Sequence, residues 1–387
     1  MEFDTKKYRI GTEFLVRENG NHPNYHIVGG DFGNSANKAY GPHGMSRFPG
    51  YAIRLDSLDQ ISVAQPHTIQ LEDLESGELW LIGAQAQDLI SARVSISEDE
   101  QYSRYRWRSK IFRPLVMASL GTTFRDKGEQ KKRILLQTAL PDAEMRDDRG
   151  EFRDILAGIY NFRLKVGTGE WRSYNFEIMR ENVYVMEQAR ATLFSACMDS
   201  AMNATADRES IMSKKTLVID GGFGTLNLYP FWQGFLKKGT TYRDLGMERV
   251  LHDTCEILYE KYGRRISVPA MQGCLEEGTI RVPLKGKRGA KSYAFGDILE
   301  EVSKKVCHEA MERVDQTYNI LEYQNLVLGG GTCAAWEEHI REWLKDFDDL
   351  NLITADRNDT LDPVFSVSRG LFDYRYLKAY QRDQKGE

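Results

Sequence analysis

The sequence predicts an α/β protein with two lobes, each a mixed sheet flanked by helices, with smaller inserted subdomains. The chain has 387 residues, 41% of them hydrophobic, and this length exceeds that at which a single core usually stops growing. Strand-like runs alternate with helical periodicity in both halves of the chain. Two glycine-rich turns, far apart in the sequence, each follow a short apolar run typical of a strand. The two turns therefore indicate two similar lobes.

Local patterns predict the elements in chain order. Residues 1–23 are polar and are interrupted by Gly20-Asn21-His22-Pro23, so we expect a partly mobile extension ahead of the first core strand. Apolar runs bounded by Gly and Pro predict strands at 25–28, 52–55, 79–82, 134–138, 216–219 and 326–328. Helical spacing of apolar residues predicts three helices, marked by Ala189, Leu193, Cys197 and Ala201, by Leu299, Val302, Val306, Ala310 and Val314, and by Trp336, Ile340, Trp343, Leu344 and Phe347.

Changes in these patterns place the domain boundaries. The expected units are an N-terminal extension (1–23), a first lobe (24–205) with an insert at about 56–105, a second lobe (206–370) with an insert at about 240–297, and a C-terminal helix (371–387). The last segment is rich in aromatic residues and has no strongly basic face. We therefore expect it to pack back on the first lobe and not on a membrane.

Composition limits the possible partners and compartment. The net charge of −5 argues against strong direct binding of nucleic acid or of an anionic membrane. The five cysteines are odd in number and form no CxxC pair, which is typical of reduced thiols. The chain has no apolar run long enough to span a membrane and no signal-peptide pattern at its start. We therefore expect a cytoplasmic protein.

The first glycine-rich turn, Asp31-Phe32-Gly33-Asn34-Ser35-Ala36-Asn37-Lys38, has the composition of a phosphate-binding hairpin. Backbone N–H groups in such a turn converge on an anion, and a nearby lysine adds positive charge. An aspartate at the mouth of the turn can hold a hydrated divalent cation. The candidate nucleotide-binding residues are Gly33, Asn34, Ser35, Asn37 and Lys38, and Asp31 is the candidate metal residue. The alternative is an ordinary β-turn with a surface lysine.

The second turn repeats this composition in the other half of the chain. Asp220 is followed by Gly222, Phe223, Gly224 and Thr225, where the glycines permit a positive φ and the threonine supplies a hydroxyl. A later triplet, Gly329, Gly330 and Gly331, follows a buried-looking strand and precedes a helix. It would let the backbone approach a base or ribose, although such a triplet is otherwise a simple loop.

The order of these elements resembles that of the actin, sugar-kinase and heat-shock-chaperone ATPase superfamily. The segment from Tyr184 to Ala189 is similar to the actin segment in which a glutamine at a helix start orients water. Thr138-Ala139-Leu140-Pro141 resembles a strand end of plasmid-segregation actins, and 362–371 resembles an element that packs behind their nucleotide. On these motifs, which span roughly residues 25 to 377, the chain resembles ParM-like bacterial actins.

The resemblance implies an ATPase that forms nucleotide-dependent filaments and segregates plasmid DNA. It implies that ATP or GTP binds with Mg²⁺ between the lobes, that Asp31 and Asp220 hold the metal through water, and that Gln188 is catalytic. Glu187 is the competing catalytic residue, because related plasmid actins use a glutamate in this region. The implied partners are further copies of the chain and a DNA-binding adaptor. Two alternatives stay open: a small-molecule kinase of the same superfamily, or a cell-shape or division actin.

Overall fold

The computed structural model describes residues 3–61, 63–91, 105–284 and 288–385. Parts of both predicted inserts, around 56–105 and 240–297, therefore lie outside the described residues, as do the first two and last two residues of the chain. In the described part, sheets alternate with helices in two lobes that enclose a cleft. The predicted α/β, two-lobed fold class is confirmed.

A six-stranded mixed sheet forms the centre of the first lobe. Its spatial order is β1 (Glu13–Val16), β4 (Gly44–Pro49), β3 (Ala36–Tyr40), β2 (Tyr25–Phe32), β8 (Arg133–Leu140) and β11 (Val183–Glu187). The pairs among β1, β4, β3 and β2 are antiparallel, whereas β8 runs parallel to both β2 and β11. The first glycine-rich turn thus joins the antiparallel hairpin β2–β3 at the end of a buried strand.

A separate five-stranded antiparallel sheet extends the first lobe. Its order is β10 (Arg172–Ile178), β9 (Gly158–Val166), β6 (Ile69–Asp73), β7 (Leu79–Ile82) and β5 (Ala52–Leu55). The predicted insert at 56–105 does not include β9 and β10. Strand β9 pairs with β6 across about ninety residues, and no local pattern in the sequence indicates a pairing over that distance. Tyr174, Phe176 and Ile178 alternate inward on β10, and Tyr174 stacks on Phe162.

The second lobe contains its own mixed sheet. Its order is β14 (Phe235–Leu236), β13 (Leu226–Trp232), β12 (Thr216–Gly221), β18 (Asn325–Gly329) and β19 (Asn351–Thr354), and β15 (Thr240–Tyr242) also pairs with β13. A separate hairpin joins β16 (Thr279–Pro283) to β17 (Ala290–Ala294). The second glycine-rich turn connects β12 to β13, so both turns occupy the tip of a hairpin that starts from a central strand.

The described helices flank these sheets. They are α1 (Ala84–Ser91), α2 (Phe112–Gly121), α3 (Asp142–Leu156), α4 (Gln188–Ala196), α5 (Arg208–Ser213), α6 (Met247–Tyr262), α7 (Val268–Cys274), α8 (Gly296–Tyr318), α9 (Gly330–Trp343) and α10 (Ser366–Lys385). The apolar stripe predicted on α8 is buried along its length. The helix predicted through Ala201 instead ends at Ala196, and Cys197 follows it as the C-cap. No described helix is long and apolar enough to cross a membrane.

Helix α10 lies against the first-lobe sheet and α4. A side chain on Gly29 of β2 would collide with the backbone oxygen of Ser368, and one on Gly370 would collide with the backbone oxygen of Ala191. Arg375 also donates two hydrogen bonds to the buried Oε1 of Gln137, at 3.0 and 2.6 Å. Glycines at these contacts let the helix approach the sheet and α4 closely. The helix begins at Ser366, before the predicted boundary at 371.

The N-terminal segment differs from a simple extension ahead of the core. Glu13–Val16 form the edge strand β1, and Thr5–Tyr8 form a short 3₁₀ helix on the second lobe. Tyr8 belongs to the buried cluster of that lobe. The sequence pattern missed both contacts because the apolar runs there are very short, and only the tertiary fold supplies the surfaces that they cover.

Candidate functional site

A cavity of about 420 Å³ lies between the two lobes, and both glycine-rich turns line it. Its walls include Asp31 of the first lobe, Asp220 of the second, and Gly330 at the start of α9. An added Cβ on Gly224 would lie 4.0 Å from Nδ2 of Asn34, so the two turns face each other across the cavity. A ligand that reached between them would contact backbone from both lobes.

The first turn carries its own countercharge. The Gly33 N–H donates to the Ala36 oxygen at 2.9 Å, which closes the hairpin. The Lys38 ammonium lies 2.7 Å from Oδ2 of Asp31. Oδ1 of Asn34 is buried and makes no hydrogen bond. This turn therefore presents a positive side chain, a carboxylate and an unpaired amide oxygen to the cavity.

The second turn holds a carboxylate in a less polar setting. Asp220 is buried, and Oγ1 of Thr192 lies 3.4 Å from its Oδ1. Burial, and after it the negative charge of Asp31, raises the pKa of Asp220 to about 6, although the positive charge of Lys38 opposes the shift. A cation in the cavity would therefore stabilise the ionised form of this carboxyl strongly.

Hydrogen bonds fix the backbone of the second turn. Gly222 N–H donates to the Thr225 oxygen at 2.8 Å, and Thr332 Oγ1 donates to the Gly222 oxygen at 2.7 Å. Neither Gly222 nor Gly224 adopts the positive φ that glycine permits. Their hairpin geometry keeps an extended or right-handed backbone, and the absence of a Cβ instead leaves the turn open toward the cavity.

The three glycines from 329 to 331 have two different structural roles. Gly330 has φ of +80°, and a Cβ there would lie 2.3 Å from the Gly221 oxygen. Gly330 and Gly331 line the cavity. Gly329 does not line it in the described structure, and an added Cβ would lie 2.2 Å from Cγ2 of Thr192. Gly329 thus permits close packing of β18 on α4, whereas its two neighbours form the cavity wall.

The two candidate catalytic residues have different surroundings. Gln188 starts α4 and lines the cavity, and its Oε1 lies 3.4 Å from Nδ2 of Asn227. Glu187 precedes the helix and pairs with Arg190 at 3.2 Å. It is not among the described residues that line the cavity. Consecutive residues at a helix start point in different directions, and here the glutamine is the one that faces the cleft.

Asn37 differs from the other residues of the first turn. It is buried within β3, where it pairs with Phe48 of β4, and it is absent from the described cavity lining. Strand alternation explains this position, because its neighbour Lys38 occupies the cavity face. Asn37 is thus placed to support the hairpin and not to contact a ligand directly.

The sequence analysis missed several charged residues that line the cavity, among them Arg106, Glu144 and Arg243. Half-buried Arg106 donates from Nε to the Phe32 oxygen at 2.6 Å, and desolvation lowers its pKa. Buried Glu144 accepts from Nη2 of Arg243 at 2.6 Å, while its other oxygen has no hydrogen-bond partner. A carboxylate in the first helical turn after Pro141 is a local signal for Glu144. Arg106 gives no comparable signal, because the fold alone brings it to the turn.

The residues present fit a nucleotide with a hydrated cation. The cavity volume lies within the usual range of small-ligand sites, about 300–1,000 Å³. The described residues contain no cluster of three potential ligands for direct metal coordination. Two carboxylates, from Asp31 and Asp220, together with the unpaired Oδ1 of Asn34, suit a cation that keeps its water shell. Gly330 and Gly331 add a stretch of the cavity wall that carries no side chain.

Comparison with known structures defines the class of fold. A non-polymerisable quadruple mutant of pCBH ParM is similar over 92% of this chain and 100% of its own, with a TM-score of 0.70 and 16% identity. A ParM filament from Clostridium botulinum gives a TM-score of 0.69 at 15% identity, covering 92% and 99% of the two chains. Ta0583, an archaeal actin homologue, gives 0.64 at 13% identity, covering 91% and 99%.

These similarities show a two-lobed actin-like fold. ParM proteins and other prokaryotic actin homologues are among the solved structures that share it over nearly their whole length. The resemblance predicted from the sequence motifs is therefore confirmed at the level of fold. No protein-family model and no curated protein sequence matches the chain.

Proposed function

We propose that this chain is a cytoplasmic actin-like ATPase that forms nucleotide-dependent filaments and segregates plasmid DNA. The observation that carries the proposal is the pair of facing Asp-Gly turns, one from each lobe, in a fold shared with ParM. A ligand held from both sides couples its own chemistry to the relative position of the lobes. That coupling is what a nucleotide-controlled polymer requires.

Different residues of the cleft would have different roles in nucleotide binding and hydrolysis. Backbone N–H groups of Asn34–Ser35 and Gly224–Thr225 would contact phosphates of ATP or GTP, while the N–H groups of Gly33 and Gly222 close the two turns. Lys38 would add positive charge. Asp31 and Asp220 would hold Mg²⁺ through its waters, and the bound cation would neutralise phosphate charge. Gly330 and Gly331 would lie beside the nucleoside.

Gln188 would orient the attacking water. Asn227 restrains the glutamine amide through its Nδ2 at 3.4 Å, so the side chain has a fixed direction toward the cavity. Positioning and charge neutralisation carry most of the catalysis of phosphoryl transfer, because little covalent chemistry is left to the protein. Glu187 is the weaker candidate because Arg190 already pairs with it.

Self-assembly is supported by exposed aromatic side chains at the hairpin β13–β14. Trp232 is 47% exposed and Phe235 is 71% exposed, at one end of the second-lobe sheet. Large apolar groups exposed together are typical of contact surfaces. A filament needs a heterologous contact that does not close into a ring. Two structural neighbours are themselves described as filaments.

The link to DNA would be indirect. The chain carries a net charge of −5, whereas direct nucleic-acid binding is typical of a basic surface. We propose a small DNA-binding adaptor that joins the filament to a plasmid centromere. Electrophoretic mobility shift of plasmid DNA with the chain alone is expected to show no specific complex.

Light scattering at 90° tests the filament proposal. Scattering at micromolar concentration should rise on addition of Mg²⁺-ATP or Mg²⁺-GTP, should persist with a non-hydrolysable analogue, and should not rise in Asp220→Ala. A Trp232→Ser/Phe235→Ser variant should retain nucleotide binding but lose the scattering rise, which separates assembly from binding. If the wild-type protein binds nucleotide and never scatters, the filament proposal fails.

A small-molecule kinase is the second candidate function, and Glu144 supports it. One oxygen of this buried carboxylate lacks a hydrogen-bond partner, and the side chain lines the cavity. A kinase needs such a base to accept the proton of an acceptor hydroxyl. Mass spectrometry of a panel of sugars and organic acids incubated with Mg²⁺-ATP would detect transfer, and its loss in Glu144→Gln would favour this function. A cell-shape or division actin has no specific support in the described residues.

A further inference from the structure

Residues 4–16, here called the N-terminal strap, cross from the second lobe to the first. Thr5 Oγ1 donates to the Leu275 oxygen at 2.6 Å, which attaches the strap to the second lobe. Its other end is β1, which pairs with β4 from Glu13 opposite Arg47 to Val16 opposite Gly44. The strap therefore bridges the two bodies that enclose the cavity.

Tyr8 is the main anchor of the strap. Its ring is buried in the core cluster of the second lobe, and its hydroxyl donates to Oγ of Ser303 on α8 at 2.8 Å. Trp336 on α9 donates to the same Oγ at 3.1 Å. Burial raises the pKa of Tyr8 to about 12, so the hydroxyl keeps its proton near neutral pH. The buried ring and its hydrogen bond therefore hold the strap on the second lobe together with the Thr5 contact.

The strap forms a wall of the candidate nucleotide cavity. All five residues from 6 to 10 line the same cavity as Asp31, Asp220 and Gly330. Ala334 and Ala335 of α9 line it as well, next to the docking site of the strap. A molecule in this cavity would therefore be enclosed by the strap in addition to the two lobes.

Further contacts tie the strap and the two lobes together. Arg9 pairs with Glu276 of the second lobe. Burial raises the pKa of Asp88 on α1, and the positive charge of Arg9 partly opposes that shift, so Arg9 also acts on the first lobe. The neighbouring Gln87 donates to Oε1 of Gln272 on α7 at 2.8 Å, which joins the lobes directly.

We propose that the N-terminal strap is part of the nucleotide site and gates nucleotide exchange. The proposal rests on the proposed function only in that the cavity holds a nucleotide. A short segment held by few buried contacts opens far more often than the whole protein unfolds. If the strap must undock before the nucleotide leaves, the rate of release is proportional to the fraction of molecules with the strap undocked.

Displacement of a fluorescent nucleotide tests this gate. The full chain is loaded with mant-ATP and Mg²⁺ and mixed with excess unlabelled ATP in a stopped-flow instrument. Tyr8→Phe removes one side-chain hydrogen bond and should release mant-ATP about fivefold faster. Tyr8→Ala also removes the buried ring and should accelerate release by more than about 50-fold. The matched control is Tyr25→Phe, which removes a hydroxyl contact to Asp383 on the opposite side of the first lobe and should release at the wild-type rate.

Tryptic cleavage supplies a second readout that does not need a folded alanine variant. Lys6, Lys7 and Arg9 are cleavage sites within the strap. Mg²⁺-ATP should slow cleavage there in the wild-type protein, because a bound nucleotide favours the docked strap, and Tyr8→Phe should speed it in the absence of nucleotide. Peptide mass spectrometry measures both rates.

The possible failures can be distinguished. If the wild-type chain binds no mant-ATP or mant-GTP, the proposed function itself fails. If it binds one of them, but folded Tyr8→Phe and Tyr8→Ala release it at the wild-type rate and the nucleotide leaves tryptic cleavage unchanged, the gate is overturned while the nucleotide site stands.

Discussion

The two Asp-Gly turns share one backbone design but differ in electrostatics. In the first turn, Lys38 lies 2.7 Å from the Asp31 carboxylate. In the second turn, Oδ1 of Asp220 lies 3.4 Å from the hydroxyl of Thr192, and burial raises the pKa of Asp220 to about 6. The first lobe thus supplies a countercharge, and the second lobe leaves a carboxylate that a bound cation would stabilise. The contrast shows that similar turn sequences acquire unequal roles from their surroundings.

The strongest expected effect concerns Gln188, the proposed catalytic residue beside the second turn. Gln188→Ala should slow ATP hydrolysis by about 100-fold, because loss of a positioned polar group typically has effects of that order. Glu187→Ala is the matched neighbour and should change the rate less than about threefold, since Arg190 already pairs with that side chain. Single-turnover phosphate release measures both. A strong effect of Glu187→Ala with normal hydrolysis by Gln188→Ala would reverse the assignment.

The next largest expected effect is on Mg²⁺-nucleotide affinity, and it should differ between the two aspartates. Asp220→Asn should weaken Mg²⁺-nucleotide binding by about 30-fold, the order of a lost charge-assisted contact. Asp31→Asn should weaken it by less, about threefold, because it also frees Lys38 to approach a phosphate. Titration calorimetry with and without Mg²⁺ measures the difference. Equal losses in both variants would show that the countercharge in the first turn is irrelevant to cation binding.

Backbone strain should also distinguish the glycine triplet, which packs on the second turn, from the first turn. Gly330→Ala should lower the free energy of unfolding by about 2 kcal/mol, because φ of +80° and contact with the Gly221 oxygen both oppose a Cβ. Gly33→Ala in the first turn should cost less, since its φ is not positive. Gly331→Ala is the adjacent control, where a Cβ would have its nearest contact 3.7 Å away. Urea denaturation without nucleotide measures all three, and equal costs would contradict this account.

The smallest expected effect is a pH dependence that Asp220 alone should produce. Its folded-state pKa of about 6 is above the usual value near 3.9, so the folded protein binds the proton more tightly than the unfolded chain. The stabilising contribution is complete below the unfolded pKa and is lost as pH rises through about 6. Nucleotide-free protein should therefore gain about 1 kcal/mol from this group between pH 7 and pH 5.

The variant Asp220→Asn isolates that contribution. Burial also raises the pKa of Asp373, to about 7, so the wild-type slope includes at least one other carboxyl. The difference between wild type and Asp220→Asn removes this background. Urea unfolding at a series of pH values, with a chelator present, measures it. Parallel pH profiles for the two proteins would show that Asp220 is not desolvated as described.

Local patterns predicted the strands that start the two hairpins and the amphipathic helix α8. Short apolar runs ending at Asp31 and Asp220 were sufficient, because a buried strand followed by a glycine-rich turn has a local signature. The same patterns could not place β9 and β10 with the strands of the predicted insert, since their pairing is long-range. They also predicted that helix α4 continues through Ala201, whereas it ends at Ala196.

The candidate site could be predicted only in part for a similar reason. The turns and Gln188 follow from composition and motif order, and they meet in one cavity. Arg106, Glu144 and Arg243 reach that cavity from separate segments, and no spacing in the sequence connects them. Asn37 and Gly329 belong to the correct segments, but strand alternation and helix packing direct them away from the cavity.

The sequence by itself determined the two-lobed α/β plan and the two Asp-Gly turns, because hydrophobic periodicity and glycine-rich turns act over a few residues. Tertiary structure decided which turn carries the countercharge, which of Glu187 and Gln188 faces the cleft, and that the N-terminal strap encloses it. Those outcomes depend on desolvation and on contacts between distant segments. Both exist only when the lobes are assembled around the cleft.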